Sequence, residues 1–379
     1  MDPIALTADL VRIDSRNPTL DPEGPGERAC IRALRDHLDA AGFRTEVLEG
    51  TPGRPSLVAR IGGGAGRSIM LNGHIDTVQT SGMTHPAFEP TIADGKLWGR
   101  GACDMKAGVA AMCVAAYRAQ QQGQLQGEVI VTAVADEEWG SIGTREVIAR
   151  GIRADAVVVT EPTELTVATA HKGFAWYTIT VHGRAAHGSQ YTVGIDAIRH
   201  AGHVLAELDR LDHEILPQNT HPLLGRGSVH ASFIEGGLGM STYPDRCTIR
   251  LERRTLPGVS LEVVERQLQQ AIDAVTARVP EFRAELRFDD ARPPSDLATD
   301  APLVTELLAA AAATGPSAEI AGVTYWSDAA LFNEAGMPTV CYGPGTIALA
   351  HGAEEWVPTA EIERTTEVLT AFLARWTRP

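Results

Sequence analysis

The stretch Ser68-Ile69-Met70-Leu71-Asn72-Gly73-His74-Ile75-Asp76-Thr77-Val78 runs from an apolar strand-like segment into Asn72-Gly73 and then a His-x-Asp pair. In an extended backbone, residues two apart project to the same face. Asp76 is therefore expected beside the His74 ring. A carboxylate on one imidazole nitrogen fixes the tautomer and frees the other nitrogen for a metal ion. A strand end with a solvated polar turn reads equally well from this stretch alone. The rest of the chain separates the two readings.

Working outward, three more apolar, β-branched runs end in polar residues. Glu128 to Ala135 ends in Asp136-Glu137-Glu138, Asp155 to Thr160 ends in Glu161, and Pro338 to Tyr342 ends in Gly343-Pro344-Gly345 with His351 close behind. Such runs read as strands buried on both faces. They alternate with helical segments, the pattern of an α/β fold with a mostly parallel sheet flanked by helices. His74, Glu137, Glu138, Glu161 and His351 then share the carboxyl edge of one sheet, where ligands collect in open α/β folds. Carboxylates gathered there repel one another unless a cation holds them, so the edge reads as a metal site. Asp104 stands before a run of helix formers, Met105 to about Gln120, and by itself reads as a helix cap.

Between Gly173 and Asp289 the pattern changes to alternating strands and two amphipathic helices in the order β-α-β-β-α-β, a ferredoxin-like α+β unit. It interrupts the α/β pattern, which resumes with Pro338 to Tyr342. The expected domains are 1-172 with 290-379, and an inserted 173-289. Ser15 to Gly26, rich in Pro and Gly, reads as a loop, and Asp300 to Gly315 as a helix capped at both ends.

The 379 residues carry 33 basic and 48 acidic side chains, a net charge of −15. That balance argues against nucleic acid or an anionic membrane as partner. The five cysteines are scattered and odd in number, which argues against a disulfide framework and for a reducing cytoplasm. The first residues lack the basic-then-apolar pattern of a signal peptide, and no run reaches membrane-spanning length.

The segments GHIDTV (73–78), GRGACDMKAG (99–108), ADEEWGSIGT (135–144), TEP (160–162), GRAAHGS (183–189) and GPGTIALAHGAEE (343–355) together resemble the M20 metallopeptidases and deacylases. That group includes acetylornithine deacetylase, succinyl-diaminopimelate desuccinylase, aminoacylase-1 and the glutamate carboxypeptidases. The resemblance implies a zinc-peptidase catalytic domain with an inserted lid or dimerisation domain, and a homodimer formed through it. It implies two divalent ions per chain: Zn²⁺ foremost, with Co²⁺ or Mn²⁺ also suited to oxygen and nitrogen donors. By motif, His74, Asp104, Glu138, Glu161 and His351 are the implied metal ligands, with Asp104 bridging. Glu137 is the implied general base and Asp76 the partner of His74. His187 is implied as oxyanion donor, and Arg254 as the grip on the substrate's free carboxylate. Gly345 would let backbone approach the substrate. Ser241 stands where the family usually has Asn, which leaves that substrate contact open.

The implied activity is hydrolysis of the amide of a small N-acyl amino acid, nearest the acetylornithine deacetylase branch. The alternatives are a dipeptidase or carboxypeptidase with the same metals, or a non-catalytic metal-binding relative. The intact Glu137 argues against the last.

Overall fold

The run before His74 is a strand, Ile69–His74, buried at every position. It is central in a sheet ordered Arg44–Leu48, Ser56–Gly62, Glu128–Val134, Ile69–His74, Val157–Val159, Thr339–Cys341, Val167–His171. Ile69–His74 pairs in parallel with Glu128–Val134 and Val157–Val159, and Val157–Val159 in parallel with Thr339–Cys341. The outer pairings are antiparallel. The parallel strands are the Val-, Ile- and Leu-rich ones, as expected for strands covered on both faces. The computed structural model describes all 379 residues.

Helices flank this sheet. Ala107–Gln121 packs on Ile69–His74 and against Thr359–Trp376, which packs in turn on Pro302–Thr314. Thr359–Trp376 buries Ile362, Leu369, Phe372 and Trp376. Each such side chain contributes about 1.5–3 kcal/mol, so this one stripe anchors the C-terminus firmly. Gly108 permits the close approach of Ala107–Gln121 to the sheet. A Cβ there would lie 2.0 Å from the Thr160 carbonyl oxygen.

Two boundaries differ from the sequence expectation. The helix after Asp104 begins only at Ala107. The residue that precedes this helix is Lys106, so Asp104, two positions further upstream, is not its cap. Pro302–Thr314 is preceded by Ala301 and has no side-chain cap, so Asp300 does not cap it either.

The chain divides into two compact units. Met1–Thr169, Leu297–Ala321 and Ser327–Pro379 form the first; Ala170–Asp296 and Gly322–Trp326 form the second. The second unit has an antiparallel sheet ordered Ser228–Gly236, Arg246–Thr255, Gly173–His182, Arg283–Arg292. Helices Ala197–Arg210 and Leu261–Arg278 supply Val204, Leu268 and Ile272 to a core with Tyr177, Ile179 and Ile249. This is the β-α-β-β-α-β arrangement. Its limits exceed 173-289 because Trp326 packs edge-on to His171 and Phe174 and donates Nε1–H to the Pro293 carbonyl at 2.9 Å. No helix is long and apolar enough to cross a membrane, and all five cysteines are unpaired and buried.

Candidate metal centre

The parallel strands end together, and their polar sequels converge in the first unit. His74 is the last residue of its strand and is buried. Its Nε2 lies 3.0 Å from Asp104 Oδ1 and 3.9 Å from Glu161 Oε1. The other Asp104 oxygen, Oδ2, lies 3.4 Å from His351 Nε2. His351 Nε2 is also 3.0 Å from Glu138 Oε2. Asp104 thus turns one oxygen to each histidine. Donor atoms of His74, Asp104 and Glu138 lie within 4.8 Å of one another, as do those of His74, Glu137 and Glu161. Two imidazoles and four carboxylates, with no thiolate among them, suit a hard or borderline divalent ion.

The electrostatics agree. Burial pushes the Glu137 carboxyl well up, and Glu161 adds to the rise. Burial likewise raises Glu138 and Glu161, each helped by Asp104. Burial opposes charge on His351, but hydrogen bonds to Asp104 and Glu138 outweigh it and push it up to about 10. Burial also opposes charge on His74, yet Asp104 and Glu161 carry it well above its ordinary value. For Asp104, the hydrogen bonds from His351 and His74 overcome burial and hold the carboxyl low. Anions so closely packed demand positive charge, and a bound cation would supply it.

Asp76 lies beside the His74 ring as expected, but its backbone carbonyl makes the closer contact. His74 Nδ1 lies 2.9 Å from the Asp76 backbone carbonyl and 3.6 Å from its carboxylate. The carbonyl can only accept, so Nδ1 carries the proton and Nε2 is free to ligate. The Asp76 carboxylate instead accepts the backbone N–H of Glu137 at 3.1 Å and of Glu138 at 3.3 Å. Glu137 and Glu138 lie in a turn, and the turn sets the directions in which their side chains leave.

A cavity of about 250 Å³ opens at the cluster, lined by Leu20, Val78, Gln79, Ser81, Glu138 and His351. Gly345 lies in the same unit with φ +88°, where a Cβ would sit 2.5 Å from Cys103 Sγ. Its N–H donates to Glu361 at 2.7 Å. In the second unit His187 and Ser241 come together. His187 pairs as a β-bridge with Thr242, and Gly188 N–H donates to the Ser241 carbonyl at 2.7 Å. Arg254 is bound to Glu252 at 2.6 Å, with its guanidinium over the Phe174 ring.

Several residues of the site escaped the reading of the sequence. Glu355 takes Arg100 Nη1 at 2.7 Å and the backbone N–H of Gly101, Cys103 and Asp104 at 3.0–3.1 Å. It thereby fixes the backbone that presents Asp104. It lies four residues after His351 in a segment already singled out, so the signal was at hand. Asn17 and Arg54 had no local signal, because both sit in Pro- and Gly-rich connections.

Comparison with known proteins agrees with this geometry. The sequence pattern of Peptidase family M20/M25/M40 matches residues 70–375. An acetylornithine deacetylase of Myxococcus xanthus is 31% identical over 352 residues, 89% of this chain and 90% of the relative. The M20 family metallo-carboxypeptidase Sso-CP2 of Sulfolobus solfataricus shares the fold with a TM-score of 0.82 at 17% identity, covering 100% of both chains. The YXEP protein of Bacillus subtilis, a dinuclear metal-binding peptidase of the M20 family, superposes with a TM-score of 0.75 at 17% identity over 99% of this chain and 97% of its own. The pattern match and the near-full-length relative show that the chain belongs to peptidase family M20/M25/M40, a family of metal-dependent hydrolases of amide bonds.

Proposed function

We propose that the chain is a dinuclear deacylase that releases the acyl group from an N-acyl amino acid. The observation that carries this reading is Asp104, whose two carboxylate oxygens face His74 and His351 separately. His74, Glu161 and Asp104 would hold one ion, and Asp104, Glu138 and His351 the other. Zn²⁺ is the proposed ion. Two such ions supply a Lewis acid for the scissile carbonyl and an attacking water that is acidic enough at neutral pH.

The remaining work falls to protein groups. Glu137 accepts the proton of the attacking water and delivers it to the departing nitrogen as the C–N bond breaks. His187 donates to the tetrahedral oxyanion. Arg254 takes the free carboxylate of the substrate, with Ser241 beside His187 as a further contact. Gly345 keeps the turn beside Cys103 narrow. The second unit serves as lid and dimer contact. Within it, edge strand Ser228–Gly236 carries Phe233 and Ile234, 56% and 50% exposed, which supports pairing with a second copy. The unpaired cysteines support a cytoplasmic setting.

The acetylornithine deacetylase relatives favour deacylation. A dipeptidase or carboxypeptidase reading is kept because the solved neighbours include a dipeptidase and a carboxypeptidase. A panel of N-acetyl, N-formyl and N-succinyl amino acids and dipeptides, each with Zn²⁺, Co²⁺ or Mn²⁺, tests the choice. Metal-dependent release of a simple acyl group is expected. Faster cleavage of dipeptides favours the second reading, and hydrolysis of esters or phosphodiesters without amides overturns both.

A further inference from the structure

The loop Ser15 to Gly26 is tied to the end of the central strand. Ser15 Oγ donates to the Ile75 carbonyl at 2.7 Å, Thr77 N–H to the Ser15 carbonyl at 3.1 Å, and Asn17 N–H to the Thr77 carbonyl at 2.8 Å. This delivers the Asn17 side chain, fully buried, to a group of carboxylates. Its amide nitrogen donates to Asp76 Oδ2 at 2.8 Å and to Asp136 Oδ1 at 2.9 Å. Both amide protons are thus spent on two different carboxylates. Asn17 Oδ1 accepts Thr19 N–H at 3.0 Å, which fixes which end of the amide faces the acids.

Behind Asn17 stands Arg54. Its Nη2 donates to the same Asp136 oxygen at 2.9 Å and to Glu27 at 2.5 Å, and its Nε to Glu27 at 2.8 Å. In front stands the turn that carries Glu137 and Glu138, whose N–H groups both end on Asp76. Asp136 itself has φ +67°, a left-handed value that L side chains seldom adopt. Two side-chain donors, Asn17 and Arg54, hold it there.

We infer that Asn17 is a positioning residue of the reaction: it clamps Asp76 to Asp136 and so sets the direction in which Glu137 and Glu138 leave their turn. The inference rests on the assignment of Glu137 as base and Glu138 as ligand. An amide is the group the position needs. An acid would add a third negative charge between Asp76 and Asp136, and an apolar side chain would take one donor from each of two buried carboxylate oxygens, leaving Arg54 alone on Asp136 Oδ1 and the longer Glu138 N–H contact alone on Asp76 Oδ2. Arg54 supplies the positive charge that three neighbouring acids, Glu27, Asp136 and, through Asn17, Asp76, share. The clamp acts on the ion held by Glu138 and leaves Glu161 untouched.

The test uses the full chain with Asn17→Asp, which keeps the volume, and Asn17→Ala, together with Glu137→Ala. Each is stripped with a chelator and titrated with Zn²⁺, then assayed on the best substrate of the panel. In the Asn17 variants one of the two Zn²⁺-binding steps should weaken by on the order of tenfold or more. The other step, which the clamp reaches only through the Asp76 carbonyl on His74, should weaken much less, and kcat should fall on the order of 10–100-fold with KM nearly unchanged. A folded Asn17→Asp protein with wild-type kcat and titration overturns the clamp. So does parallel weakening of both steps in step with a lowered melting temperature, the mark of a merely structural role. If Glu137→Ala turns over at the wild-type rate, the base assignment fails, and the titration still decides the clamp through Glu138. If Glu137→Ala is inactive while the Asn17 variants behave as wild type, only the clamp fails.

Discussion

At the scale of residues, the centre is a balance between buried acids and two histidines. Without an ion, His74 and His351 are the positive charges nearest Asp104, Glu138 and Glu161, and they are held protonated: His351 up to about 10, against an ordinary 6.5. A raised pKa in the folded state means that the proton stabilises the metal-free fold fully below about 6.5. That contribution is lost as pH rises through about 10. The gain is small for His351, whose side chain is 53% exposed and screened by water. An ion at Nε2 must displace these protons. Zn²⁺ binding at pH 7 should therefore release protons, and apparent affinity should climb with pH. Calorimetry in two buffers of different ionisation enthalpy measures the release. Binding without net proton release would mean that the histidines are not the ligands. Asp76 shows how fine the division of labour is: its carbonyl orients His74, while its carboxylate holds two amides of another strand's sequel.

At the scale of elements, the centre depends on how closely the helix after Asp104 approaches the sheet. Gly108 is the second residue of that helix, against the Thr160 carbonyl that precedes Glu161. A methyl group 2.0 Å from that oxygen must push the helix or the Glu161 strand end aside. Gly108→Ala should destabilise the fold by about 1–3 kcal/mol, the range for overpacking. It should also weaken metal binding, because both neighbours carry proposed ligands. Chemical denaturation and Zn²⁺ titration of the same preparation check the two effects. An unchanged midpoint with unchanged titration would show that the approach is looser than the geometry says. The turn after Glu128–Val134 makes the complementary point. Its residues are local in sequence, yet Asn17 and Arg54 from distant loops hold its conformation.

At the scale of the whole molecule, each unit has its own core, and the second also exposes an edge strand with apolar side chains. Phe233→Glu on that edge should convert a dimer into a monomer in sedimentation velocity, with the metal content of each chain unchanged. A wild-type chain that sediments as a monomer would refute the proposed assembly. Much of the architecture was legible in the sequence. Buried strands announce themselves as β-branched runs, and the inserted unit shows itself where a two-residue alternation replaces them, because both patterns are set by neighbouring residues. That His74, Glu137, Glu138 and Glu161 stand at or just past strand ends was legible for the same reason. Local pattern was silent where tertiary packing decides. Asp104 taken alone resembled a helix cap, but Lys106 is the residue before the helix, and the loop of Asp104 is held by Glu355 from 251 residues away. Ser15 to Gly26 resembled a plain connection, yet Asn17 reaches Asp76 and Asp136 across 59 and 119 residues. The sequence by itself therefore determined which side chains stand at strand ends and in what order. Only the tertiary structure decided which of them face one another and which buried group holds each in place. The physical reason is that periodicity acts over a few residues, whereas a buried carboxylate accepts whatever donor the closed chain brings to it.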